Sequence, residues 1–169
     1  MAVSHAHPLL LCFDRSAGAR RAIETAGSLF PGREAVLLHV WAPIAVLIGP
    51  YAAMLPPDEQ GDAMLQVAAL ETAGEGVELA VGAGLVATPE AVPASFHGTW
   101  HEILLAADRH ECALIVLGAR GLSPLRSMVL GSVSHGVAQH AHRPVLIVPP
   151  TAVERPIRAA NAGGGTDTC

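Results

Sequence analysis

Lysine is absent from this chain: every one of its ten basic side chains is arginine. That excludes phosphate-loop NTPases, Schiff-base enzymes and lysine-dependent kinases, each of which needs the amine itself. A phosphate here must be held by backbone N–H groups, hydroxyls, arginine or a metal ion. Aromatic residues are scarce, at 4%, which leaves little to stack on a flavin and counts against a flavodoxin-like electron carrier. The three cysteines, Cys12, Cys112 and Cys169, are far apart and form no CxxC pair, so a disulfide framework is not indicated. Cys12 and Cys112 adjoin apolar runs and read as core thiols. Cys169 ends a glycine-rich tail and lacks the position of a prenylation signal. Positive charge is in short supply, with ten basic against fifteen acidic residues and a net charge of −5, which argues against a nucleic-acid partner. No apolar run reaches bilayer length, and MAVSHAHP has no basic stretch followed by a long apolar one, so neither a membrane nor a secretion route is expected. The expected location is the cytoplasm.

What is present is a core. Hydrophobic residues make up 51% of 169 residues, enough for one well-buried domain, read here as residues 1–150, with 151–169 as a disordered tail. Residues 8–13 (PLLLCF), 35–41 (AVLLHVW), 113–117 (ALIVL) and 144–148 (PVLIV) are continuous apolar runs, the mark of strands covered on both faces. Between the first two, Ser16 can cap a helix whose Ala19, Ala22, Ile23, Ala26 and Leu29 repeat at helical spacing, ended by Pro31-Gly32. Residues 43–57 are apolar but broken by Gly49, Pro50, Pro56 and Pro57, and read as a loop with the character of a lid. A helical pattern over 58–84 carries Leu65, Ala69, Thr72, Leu79 and Ala83 on one side. Residues 86–96 look extended, but Pro89 and Pro93 confine such a strand to a sheet edge. Thr99-Trp100-His101-Glu102 has the form of a capping box, continued by Ile103, Leu104 and Ala107. Another helix is expected from Ser132 to about residue 141. Strands and helices alternate, which predicts an α/β fold: a parallel sheet with helices on both faces and ligands at the carboxyl ends of the strands.

Asp14, Val40-Trp41 and Gly118 all fall at such carboxyl ends. After Gly118 come Gly121 and, with nine residues between, Gly131-Ser132. Gly118 and Gly121 permit a tight turn and close approach of a ligand. Gly131, Ser132 and Val133 can present N–H groups at a helix start, with the Ser132 and Ser134 hydroxyls as further donors, which makes an anion site. The residues alone leave a second reading open, an ordinary strand-to-helix loop whose glycines only serve turns. Arg120 and Arg126 would add positive charge near a phosphate, or stand as solvated loop arginines.

The pattern Gly-x2-Gly-x9-Gly-Ser, preceded by LIVLG and followed by a helix and RPVLIVP, resembles the universal stress protein family. LLLCFDRSAGARRAI and VLLHVW extend the resemblance over nearly the whole domain, and the nine-residue spacing is its specific part. The resemblance implies a three-layer, doubly wound sheet of five mainly parallel strands in the order 3-2-1-4-5. In that family the motif marks the branch that binds ATP. It implies Asp14 on the ribose with Cys12 and Phe13 on the nearby wall, and Val40 meeting the adenine through its backbone. Leu117 and Gly118 would pass under the nucleotide, bordered by Ala119, Arg120 and Gly121, with Gly131, Ser132, Val133 and Ser134 on the phosphates. Mg²⁺ accompanying ATP would be held by phosphates and water. A homodimer is implied through the last strand, Pro144, Val145, Leu146, Ile147 and Val148, whose apolar edge a monomer would expose.

Nine histidines raise a metal reading. His97 and His101 lie four apart, but Gly98 and the helix start at Thr99 break the shared face. His140 and His142 sit at a helix C-terminus, where cations suit the dipole. No Cys/His cluster has zinc spacing, so no metal site is assigned. His39, mid-strand, reads as a hydrogen-bonded core residue. The leading functional reading is an ATP-binding, stress-response regulatory protein acting as a nucleotide-dependent switch. The alternative is a slow Mg-dependent ATPase or other nucleotide hydrolase on the same fold. Neither an SGGxDS nor a HIGH-like signature accompanies it, and no catalytic residue is assigned.

Overall fold

The computed structural model describes residues 7–54, 56, 58–121 and 130–150. β1 (Leu9–Cys12) lies at the centre of a five-stranded sheet. β2 (Glu34–Trp41) and β4 (Leu114–Gly118) flank it, with β3 (Val86–Pro93) and β5 (Val145–Val148) at the edges. All four pairings are parallel, in the order β3-β2-β1-β4-β5. Leu9 stands between Ala35 and Leu114 in register, so successive residues of β1 point into opposite layers. Leu9 and Leu11 pack with α1 (Ala17–Leu29) and α3 (Glu59–Gly82). Leu10 packs with α4 (Thr99–Arg109) and α5 (Ser132–His140). Order and layering are those expected.

The prolines of β3 have a positional reason. Val86 N–H donates to the Arg33 carbonyl and Ala94 N–H to the Trp41 carbonyl. Strand alternation therefore turns the even-numbered amides of β3 toward β2 and the odd-numbered positions outward. Pro89 and Pro93 both occupy outward positions of an edge strand, where no ladder donor is lost.

Three local expectations need correction. The described part of residues 43–57 is not an irregular loop: Ile44–Ile48 forms a short helix, α2, and Gly49–Met54 a 3₁₀ turn. Pro43 precedes α2 as its N-cap, where its missing N–H costs nothing, and Asp62 Oδ1 accepts from Ile44 N at 2.9 Å. The prolines punctuate helices here rather than prevent them. Among the described residues, this segment lines no part of the cleft described below. The expected capping box is also not closed by Thr99. Gly98, with φ of 95°, is the N-cap and carries no side chain. Glu102 instead bonds with the Ser95 hydroxyl, beside His101. Burial pushes its carboxyl up, but the hydrogen bonds to Ser95 and His101 outweigh that and hold it below the usual range. In α3, finally, the fully buried residues are Ala69, Thr72, Ala73, Gly76 and Ala80. Of the expected stripe, Ala69 and Thr72 are among them, Leu79 and Ala83 pack partly buried against the same core, and Leu65 is only half-buried, so the buried face is made of small residues. A side chain at Gly76 would strike Leu37 and Phe13, so only small residues let this 24-residue helix lie flat on the sheet.

Candidate functional site

α1 begins at Ala17, with Ser16 as its cap: the Ser16 hydroxyl accepts from Ala19 N at 3.1 Å. Ser16 N–H in turn donates to Asp14 Oδ1 at 3.0 Å. That bond fixes one carboxylate oxygen and leaves the other facing Gly121, where any side chain would run into Asp14 Oδ2. Arg15, at a φ of 64°, turns the chain between Asp14 and the helix and is clamped to Glu75 of α3, with Nε 2.8 Å from Oε2. The turn that carries Asp14 is thereby tied to the layer behind it.

Across the cleft, the end of β4 returns toward α5. Gly131 N–H donates to the Ala119 carbonyl at 2.8 Å, and the Ser134 hydroxyl lies 2.9 Å from the same oxygen and 3.0 Å from the Gly131 carbonyl. Ser134 is buried and spent on tying the start of α5 to the residue after β4, which leaves Ser132 as the exposed hydroxyl of the pair. Gly131 is the N-cap of α5 and supplies no capping side chain. The first N–H groups of α5 have no intrahelical acceptor by construction, and here they open on the cleft. Arg120 lines the same space, and its Nε is buried with no hydrogen-bond partner among the described residues, as are Arg33 Nε and Trp41 Nε1 elsewhere.

The cleft measures about 250 Å³. It gathers Cys12, Phe13, Asp14, Val40, Leu117, Gly118, Arg120, Gly121, Gly131, Ser132, Val133 and Ser134, all expected from the sequence. Ala119 is the exception: it is buried, and its carbonyl accepts from Gly131 N–H and the Ser134 hydroxyl at the start of α5. Arg126 lies outside the described residues, as do Cys169 and the tail. Ser16, Ala19, Leu38, Thr99 and Ile103 also line the cleft and were not anticipated. Ser16 and Thr99 stand at helix starts on the carboxyl rim, which was a usable signal. Leu38 and Ile103 look like any other core residue until the layers are assembled. His39 is half-buried, with Nδ1 2.8 Å from the Phe13 carbonyl. Among the described residues, no group of three or more His, Cys, Asp or Glu side chains could hold a metal ion.

The wall thiol is inert at neutral pH. Burial, and then the neighbouring Asp14 carboxylate, push Cys12 up to about 12, and burial raises Cys112 to about 11 against the opposing pull of Arg143. Each keeps its proton in the folded state beyond the ordinary value of 9.0. Their contribution to stability is thus intact below about pH 9 and is lost as pH rises toward 11–12. Urea midpoints should fall between pH 8 and pH 10.5, and Cys12→Ser should flatten part of that decline. An identical decline in the variant would rule out Cys12 as its source.

Comparison with known proteins places this geometry in a family. A family model described as "Universal stress protein family" matches residues 5–149. A universal stress protein of Bacillus subtilis is 56% identical over 48 residues, 28% of this chain and 32% of that relative's length. The chain is similar in structure to a universal stress protein from Archaeoglobus fulgidus in complex with dAMP. That likeness has a TM-score of 0.58 and 20% identity, covering 83% of this chain and 96% of the other. A universal stress protein in complex with cAMP has a TM-score of 0.58 and 23% identity, covering 85% and 96%. At these identities the structural likeness establishes the fold.

Proposed function

This chain belongs to the universal stress protein family, and from that premise we propose that its cleft holds an adenine nucleotide, ATP with Mg²⁺, as a regulatory switch in a stress response. The carrying observation is that the cleft brings together an uncapped helix start, a half-engaged carboxylate and an arginine Nε without a partner among the described residues. N–H groups of Ser132 and Val133, with the Ser132 hydroxyl, suit the phosphates. The free oxygen of Asp14 suits the ribose hydroxyls, and Val40 suits the base. Mg²⁺ would ride on the triphosphate and water, neutralising charge that no lysine is present to meet. The dAMP and cAMP complexes of the two fold relatives support an adenine ligand.

Denaturing the purified protein and identifying what it releases tests this directly, with ATP the expected product. An empty protein whose melting temperature ignores ATP and Mg²⁺ would sink the reading. Turnover of the loaded protein separates holding from consuming: enzyme-like rates would favour the hydrolase alternative.

We propose further that β5 pairs two copies into a homodimer. It is an edge strand, and its Val145, Leu146 and Ile147 are only partly buried. Val145→Lys should yield a folded monomer in sedimentation. A wild-type monomer at high concentration, unchanged by the substitution, would refute the pairing.

A further inference from the structure

The ladder between β1 and β2 stops one rung early, and a side chain stands where the missing rung would be. Phe13, just beyond β1, still donates its N–H to the Leu38 carbonyl at 2.9 Å. In a regular parallel ladder the Phe13 carbonyl would next accept from the Val40 N–H. Among the described residues that rung is not made, and the carbonyl accepts instead from His39 Nδ1 at 2.8 Å. A carbonyl can only accept, so Nδ1 carries the proton. On the other side of β2, Trp41 turns its carbonyl to Ala94 of the β3 end. Residues 38 and 40 therefore face β1, while 39 and 41 face β3. Val40 is left with its N–H and C=O pointing past the end of β1, at the wall of the cleft.

One N–H and one C=O on the same strand edge complement a ring nitrogen beside an exocyclic amino group, the arrangement adenine presents. Hypoxanthine presents the reverse, a ring N–H beside a carbonyl oxygen. We propose that His39 is a positioning residue for base recognition, holding the Phe13 carbonyl away from Val40 so that the Val40 amide and carbonyl stay free for an aminopurine. The assignment rests on the nucleotide reading of the cleft, and it adds the residue that keeps the base-reading edge open.

Two variants and two readouts test it. His39→Leu fills the space without a donor, and His39→Asn restores an N–H near the Nδ1 position. The first readout is hydrogen exchange of the Val40 amide in the nucleotide-free protein, which needs no ligand. Exchange should be fast in the wild type, slow about tenfold or more in His39→Leu as the released carbonyl captures the amide, and return toward wild type in His39→Asn. The second readout is calorimetric affinity for ATP and for ITP. A wild-type preference for ATP of about tenfold should shrink toward unity in His39→Leu and recover in His39→Asn. A role in packing alone would weaken both nucleotides alike and leave Val40 exchange unchanged. Equal Val40 exchange in wild type and His39→Leu, with the ATP preference kept, overturns the role of His39 and leaves nucleotide binding standing. A wild type that binds neither nucleotide overturns the nucleotide reading itself, and the assignment of His39 falls with it.

Discussion

Gly131→Val should cost at least about a hundredfold in affinity for ATP while leaving the fold intact. Gly131 has φ of −70° and ψ of 163°, extended backbone that a β-branched residue adopts without strain. An added Cβ would meet Ala119 O at 3.5 Å and Ser134 Oγ at 3.7 Å, ordinary contact distances. The substitution is therefore tolerable for folding, yet its two methyl groups occupy the mouth of the uncapped α5 terminus. Charge-assisted bonds to phosphate are worth about 1.5–3 kcal/mol each, so shielding two of them removes about 3–6 kcal/mol, a factor of a hundred or more. Ser132→Ala, which removes a hydroxyl but no N–H, should lose only about tenfold. Gly121→Val is a poorer probe, because its side chain would displace the Asp14 carboxylate and so disturb a second contact. Calorimetry with circular dichroism decides the matter: a folded Gly131→Val protein that binds ATP like the wild type would remove the phosphates from this loop.

Much of this site was readable before the layers were assembled, because a parallel sheet gathers its strand ends on one rim. Asp14, Val40 and Gly118 end three neighbouring strands, and the alternation of elements alone brings them together. What could not be read were features that depend on what another element does. Pro43 and Pro50 look like helix breakers in isolation, but a proline at a helix start loses no bond, and Asp62 of α3 supplies the acceptor for Ile44. Thr99 and Glu102 have the spacing of a capping box, yet Ser95 from the preceding turn competes for the carboxylate. Ser134 looks like a phosphate donor until the Ala119 carbonyl is placed within its reach. His39 was legible as a hydrogen-bonded residue, whereas its acceptor lies 26 positions away, just beyond β1.

Gly118 is the sharpest case of a residue read for one property and needed for another, and its replacement should be strongly destabilising. Its place after β4 suggests a turn or the approach of a ligand. In the fold it also meets the start of α1: an added Cβ would lie 2.6 Å from the Gly18 carbonyl carbon and 2.8 Å from its oxygen. Reciprocally, a side chain at Gly18 would run into the Arg120 carbonyl. Both obstacles are backbone, so no rotamer change relieves them, and α1 must move off the sheet. The buried Ala19, Ala22, Ile23 and Ala26 of α1 would lose their packing against the core as it does. Gly118→Val should therefore cost about 3 kcal/mol or more, the upper range for an overpacked core, which in a chain of this size lowers the melting temperature by roughly 6–12 °C. Gly18→Ala and Gly118→Ala should each destabilise, and the double variant should lose less than their sum, since a gap opened for one methyl group admits the other. Strict additivity in a double-mutant cycle would mean that the two glycines do not share this crossing.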